Sequence, residues 1–323
     1  MNKITFCNGN AFKIENEVLK EKIMVECDRL FGFTIKRDYF PGPQPVTVEK
    51  KDFELLKKEE YVVCEKTDGE RYVMLLINID NKPMCFIINR NNELYFLSLA
   101  FKKEVFEGSI FDGELIKTKE NSWNYLIHDC MIYNGKNYME ISHDLRYSAV
   151  IDFITKRYVN KSTDCFNIKT KIFYIYGNKL LETWNHIVKT TENEIDGLIF
   201  TPVNEPIKFG RDYNLLKWKM EHTIDFFVKK VGKKINLSGY RKNDYYLFKS
   251  LTETNPSFKL ITDFNLKRGN LKDGVIIEFK YNNLEIFTPY RIRSDKNKPN
   301  GEITINNTLK NIEEAITITS FIF

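Results

Sequence analysis

Lys66 opens the segment Lys66-Thr67-Asp68-Gly69-Glu70-Arg71, and a lysine in that setting is a candidate nucleophile. The flanking runs Tyr61-Val62-Val63-Cys64 and Tyr72-Val73-Met74-Leu75-Leu76-Ile77 read as short buried strands, so the lysine sits at a strand end against apolar core. Burial penalises the charged ammonium, and a neutral amine attacks electrophiles. Lys217 and Lys219 stand two apart in Leu215-Leu216-Lys217-Trp218-Lys219. On a strand they share a face. Two ammonium groups there repel each other unless an anion lies between them, and a triphosphate is such an anion. A lone Lys-x-Lys reads equally as a solvated strand face. Phe111-Asp112-Gly113-Glu114-Leu115 places one carboxylate at a turn and another on the following strand, which by itself is a plain hairpin.

The elements that must position these groups follow from periodicity and turn residues. Residues 12–30 carry apolar positions at helical spacing, with Gly32 as a stop. The three prolines of residues 40–46 predict a stiff extended loop and no regular structure. A short helix is expected at 52–58, and antiparallel strands joined by Asn/Asp/Pro turns across 72–99. Further strands are expected at 111–117, 123–132 and 196–201, with helices at 143–155 and 180–190. A last strand of this part starts at 216–219 and runs on through 224–228. The charged, glycine-containing break 229–234 is taken as the boundary between domains 1–228 and 229–323. Beyond it, strands at 244–250, 274–280 and 284–289 suit a small all-β barrel of the oligonucleotide/oligosaccharide-binding (OB) size class, with a terminal helix at 308–316.

At 323 residues the chain suits two domains. Its net charge of +5 permits a polyanionic partner without demanding one, and its 17 tyrosines and 25 phenylalanines supply core and stacking surfaces. The six cysteines form no Cys-x-x-Cys pair and the four histidines no metal-ligand spacing, which argues for buried free thiols over a zinc site. No signal-peptide core opens the chain and no apolar run approaches membrane-spanning length, so an intracellular, soluble protein is expected.

Taken in order, the motifs resemble those of the mRNA capping guanylyltransferases, in the covalent nucleotidyltransferase superfamily that also includes ATP-dependent DNA and RNA ligases. Lys-x-Asp-Gly-x-Arg at Lys66–Arg71 is the first; Asp112-Gly113-Glu114 resembles the second. Tyr125-Leu126-Ile127-His128-Asp129 resembles the third, with His128 where the family places an aromatic ring that stacks on the base. Glu194-Ile195-Asp196-Gly197 and Leu216-Lys217-Trp218-Lys219 resemble the fourth and fifth, and Asp225 matches an acidic position that follows them. Arg291-Ile292-Arg293-Ser294-Asp295-Lys296, trailed by Lys298-Pro299-Asn300, resembles the last motif as capping enzymes write it; the proline segment 40–47 resembles that family's proline loop.

The resemblance implies an α+β architecture, with an antiparallel-sheet nucleotidyltransferase domain followed by a C-terminal OB-fold β-barrel and an interdomain cleft. It implies that Lys66 attacks the innermost phosphate of GTP, that pyrophosphate leaves, and that the lysyl-GMP adduct is passed to a 5′ diphosphate RNA end as a GpppN cap. Arg71, Glu114 and His128 would bind the nucleotide, Lys217 and Lys219 the phosphates. Asp196 would lie near Mg²⁺ or Mn²⁺, and Arg293, Asp295 and Lys296 would act on pyrophosphate, with Asp225 nearby. RNA triphosphatase and cap methyltransferase activities would come from separate proteins, in a nucleus or at a cytoplasmic viral replication site. The rivals are an ATP-dependent polynucleotide ligase and a non-catalytic nucleic-acid-binding module.

Overall fold

The two apolar runs that flank the Lys66 motif are strands of different sheets, Tyr61–Thr67 and Glu70–Ile79, so Asp68-Gly69 carries the chain from one sheet to the other. The computed structural model describes residues 2–37, 39–266, 271, 273–281, 286–294 and 296–323. The chain divides into two units: residues 1–48, 52–218 and 321–323, and residues 49–51 with 219–320.

In the first unit, the larger sheet has nine strands among the described residues. Its order is Asn2–Phe6, Gly9–Lys13, Leu94–Leu97, Lys82–Asn89, Glu70–Ile79, Ser109–Lys117, Trp123–Tyr133 and Lys136–Asn137. Asn167–Thr170 joins Trp123–Tyr133 in parallel; the other pairings are antiparallel. Met74 and Leu76 enter one core with Phe111 and Phe153, while Val73, Leu75 and Ile77 enter a second with Ile23, Leu30 and Phe31. Burial of both faces explains why the strand reads as an unbroken apolar run and not as an alternation.

The helix Glu17–Phe31 covers the second core. Asn16 caps it by accepting from the Leu19 N–H at 2.9 Å, and Gly32, at φ 79°, ends it in the left-handed conformation that glycine adopts without strain. The helix expected from residue 12 thus begins later, because the strand Gly9–Lys13 occupies its first positions.

The smaller sheet runs Tyr174–Ile175, Tyr61–Thr67, Ile195–Pro202, Gly210–Lys219 and Pro43–Thr47. The last of these corrects the sequence reading. Part of the proline segment is a true strand, parallel to Gly210–Lys219, and it lies at the sheet edge, where a residue without an N–H is tolerated. Phe321 closes this unit: it is buried, its ring 5.0 Å from Phe200, 5.5 Å from Phe53 and 6.2 Å from Trp218.

The second unit is a five-stranded antiparallel sheet in the order Asp244–Leu251, Lys234–Arg241, Thr223–Val231, Val275–Tyr281, Phe287–Ile292. Counted along the chain this is 3-2-1-4-5 with the helix Pro256–Leu266 between the third and fourth strands, an OB-like arrangement. Among the described residues no ladder joins the two edge strands; Phe248 of one and Phe287 of the other have ring centres 6.1 Å apart.

Several expectations change here. The charged break 229–234 is the turn of a hairpin, and the unit already starts at Lys219, since Gly-Lys turns and linkers share a composition. The strand expected to run from 216 through 228 is two strands, interrupted at 220–222. Pro256–Leu266 is a helix inside the part expected to be all-β, and the terminal helix is Glu302–Glu314. Residues 284 and 285 of the expected strand 284–289 lie outside the described residues. Among those described, no helix is long and apolar enough to cross a membrane, and Cys27, Cys64, Cys85, Cys130 and Cys165 are buried free thiols.

Candidate active site

Lys66 lies on Tyr61–Thr67 with its side chain only 19% exposed, and its Nζ is 2.6 Å from Asp196 Oδ1. The neighbouring strand brings that carboxylate in through a bulge. Register runs Thr67 to Ile195 and then Lys66 to Gly197, leaving Asp196 as the extra residue, and a bulge re-aims a side chain in this way. The neighbouring side chain is clamped: the Glu65 carboxylate accepts from Thr191 Oγ1 at 2.5 Å and Asn193 Nδ2 at 2.6 Å.

Beside the nucleophile candidate, Glu114 of Ser109–Lys117 accepts from the Thr67 hydroxyl, from the Gly69 N–H at 3.2 Å and from Lys171 Nζ at 2.9 Å. Lys171 also donates to the Glu65 carbonyl at 3.1 Å and to Thr67 Oγ1 at 2.9 Å. Burial pushes the Glu114 carboxyl up, but Lys171 and the Thr67 hydroxyl outweigh it and hold the group down at about 2. Burial likewise disfavours the Lys171 ammonium, and Glu114 more than restores it, leaving its pKa raised.

Arg71 is buried and committed. Its Nε and Nη2 fork onto Asp112, its Nη1 donates to the Pro43 carbonyl, and it lies 5.0 Å from the centre of the Phe40 ring. The motif's arginine therefore fixes the proline strand to the larger sheet. Asp112 is fully buried; burial raises its pKa, yet Arg71 and His128 hold it well below the usual carboxylate range. His128 sits at a register shift between Asp112 and Gly113, with Nε2 3.3 Å from Asp112 Oδ1.

Lys217 and Lys219 share one half-buried face of Gly210–Lys219, opposite the buried Leu216 and Trp218. In the second unit, Asp225, Glu278 and Arg291 are register neighbours on three adjacent strands. Arg293 Nη1 lies 3.3 Å from both Asp225 carboxylate oxygens and 3.4 Å from Glu278, and Lys296 binds Asp225. Asn300 ties the segment down, donating its N–H to the Asp225 carbonyl at 2.9 Å and accepting from the Asp225 N–H at 2.8 Å. Asp295 lies outside the described residues.

Sequence reasoning missed two cations in the surroundings of Glu114. Lys171 follows the parallel strand Asn167–Thr170, and nothing in Lys169-Thr170-Lys171-Ile172 separates a buried lysine from a surface one. Arg90 stands at the exposed turn after Lys82–Asn89; surrounding protein and repulsion from Arg71 lower its pKa.

The mRNA capping enzyme catalytic domain matches residues 10–221, and the mRNA capping enzyme C-terminal domain matches residues 204–322. The mRNA-capping enzyme subunit alpha of Schizosaccharomyces pombe is 26% identical over 319 residues, covering 87% of this chain and 78% of that protein. The mRNA-capping enzyme of Mus musculus is 30% identical over 315 residues, covering 92% of this chain and 51% of its own. The chain spans about half the length of most of the curated relatives it matches. Among solved structures, a mycobacterial DNA ligase D complexed with ATP and MES aligns at a TM-score of 0.45 and 8% identity, over 81% of this chain and 97% of that one. With both family domains matched in order along the sequence, the chain belongs to the mRNA capping enzyme family, a family of nucleotidyltransferases.

Proposed function

We propose that this chain is an mRNA guanylyltransferase that forms a lysyl-GMP intermediate from GTP and transfers GMP to the 5′ diphosphate end of RNA. The observation that carries the reading is Lys66, held beside Asp196 within a capping-family domain. In the first step the Lys66 nitrogen forms a bond to the innermost phosphorus of GTP, and the bond from that phosphorus to the pyrophosphate oxygen breaks. In the second, an oxygen of the RNA diphosphate displaces lysine, restoring the free amine.

Asp196 holds the Lys66 nitrogen in place; the lysine attacks as its neutral amine, and the proton it sheds on bonding to phosphorus passes to solvent. Among the described residues Glu114 Oε2 takes Thr67 and Lys171 while Oε1 takes the 3.2 Å contact from Gly69, so Oε1 is the oxygen assigned to a ribose hydroxyl. Lys217 and Lys219 take phosphate oxygens, and Arg90 adds a cation on the Arg71 side. His128, turned by Asp112, offers its ring to the base. Arg293, Lys296 and Asp295 are assigned to pyrophosphate, with Asp225 holding the first two in place.

Among the described residues no cluster of three or more His, Cys, Asp or Glu could cage a metal, while Asp196 offers a single carboxylate. Asp196 would be the protein ligand of an Mg²⁺ or Mn²⁺ ion, which would screen the charge of the triphosphate. RNA triphosphatase and methyltransferase steps are assigned to other proteins.

The test is label transfer from GTP or ATP labelled at the innermost phosphate, with Mg²⁺ or Mn²⁺ present. Acid-labile label from GTP alone, absent in Lys66→Ala, is the expected result. Label from ATP alone would reassign the chain to ligase chemistry, and label from neither would leave a binding module.

A further inference from the structure

The second unit carries an aromatic strip that the transfer chemistry does not use. On the strands Thr223–Val231, Lys234–Arg241 and Asp244–Leu251, register pairs Phe227 with Ser238, Ser238 with Leu247, and Tyr240 with Tyr245. These residues face away from the core of Phe226, Val228, Leu237 and Leu251. The rings touch in series: Phe227 is 4.6 Å from Tyr245, and Tyr245 is 5.7 Å from Tyr240. Tyr245 remains 44% exposed and Leu247 57%, an apolar surface on a sheet face that ordinarily carries polar side chains.

Cations frame it. Lys298 Nζ lies 4.6 Å over the Tyr240 ring, exposed Lys242 occupies the turn between Lys234–Arg241 and Asp244–Leu251, and exposed Lys229 follows Phe227 on the same side of its strand. The strip is also continuous with the Arg293/Lys296 cluster. Asn300, which holds both the N–H and the carbonyl of Asp225, accepts from the Tyr240 N–H at 3.1 Å through its own carbonyl.

The exposed Tyr245 ring beside the half-buried Tyr240 ring, flanked by lysines on the second and third strands of an OB-like sheet, matches the chemistry of single-stranded nucleic acid: bases stack on the rings and phosphates meet the ammonium groups. We propose that this strip is the platform for the single-stranded 5′ segment of the RNA acceptor, with bases stacked on Tyr240 and Tyr245 and the backbone held by Lys298 and Lys229. The identity of that strand as acceptor rests on the guanylyltransferase reading; the stacking platform does not.

The test measures binding of the full chain to a short 5′-diphosphate oligoribonucleotide labelled at its 3′ end, by fluorescence anisotropy over a range of salt concentrations. Adduct formation from labelled GTP, which needs no RNA, is read in parallel as the check on fold. Tyr245→Ala is expected to weaken binding about tenfold while Tyr245→Phe stays near wild type, because stacking needs the ring and not the hydroxyl. Lys298→Ala is expected to flatten the salt dependence. If Tyr245→Ala and Lys298→Ala both bind RNA as wild type does, the platform is refuted. If the wild-type chain binds RNA through Tyr245 yet takes no label from GTP, the platform stands and the transferase reading falls.

Discussion

At the scale of single residues, the site is organised by a buried ion pair that leaves little trace in sequence. Glu114 is legible from its Asp-Gly-Glu setting, but its partner Lys171 comes from just after a strand more than 50 residues further on, with no motif to mark it. Removing one member of a buried pair strands the other. Lys171→Met is therefore expected to destabilise the first unit by about 3–5 kcal/mol in urea unfolding, with much of the loss recovered in the double variant with Glu114→Gln. The pair also sets a pH dependence. Folded Glu114 titrates at about 2, below the ~4.3 of an unfolded glutamate, so its contribution is complete above roughly pH 5 and fades as pH falls towards 2. Unfolding midpoints measured from pH 6 down to pH 3 should fall less steeply in Glu114→Gln than in wild type. Asp196 was legible as an acidic residue; its reach to Lys66 depends on a bulge, a register event that no local pattern announces.

Elements were most legible where both faces or one whole stripe are buried. The strands around Lys66 and the helix Leu180–Thr190 stand where apolar runs and helical spacing place them. Turns were less so, because composition does not say whether Gly and Lys make a hairpin or a linker. The glycine of the Lys66 motif has a steric reason. A Cβ at Gly69 would lie 2.4 Å from Ile116 Cγ2 and 2.7 Å from the Leu115 carbonyl, and the latter is backbone that cannot swing aside. Gly69→Ala should cost about 1–3 kcal/mol and lower lysyl-GMP formation although Lys66 is intact; an adduct yield equal to wild type would show that this crossing between sheets tolerates displacement. The proline strand depends on Arg71 in a similar way. Lysine cannot fork onto Asp112 while also reaching the Pro43 carbonyl, so Arg71→Lys should speed limited proteolysis within residues 40–47, read by mass spectrometry of the fragments.

For the whole molecule, the sequence announced two domains but not how the chain is shared between them. Residues 219–320 form one unit, and Phe321–Phe323 return to the other, where Phe321 fills a space bounded by Phe53, Phe200 and Trp218. Phe321→Ala is expected to destabilise the first unit by about 3–5 kcal/mol, measured as a loss of its calorimetric melting temperature. In polymer terms the second unit is a long insertion whose far end must come home. A gene cut after residue 218 would encode the larger unit without its closing ring, and a phenylalanine-bearing peptide added to it would have to be captured from dilute solution. In the intact chain the same ring is covalently attached, so its return is an intramolecular event that dilution does not weaken. The smaller unit is thus also the leash that keeps the larger one's last core residue in reach.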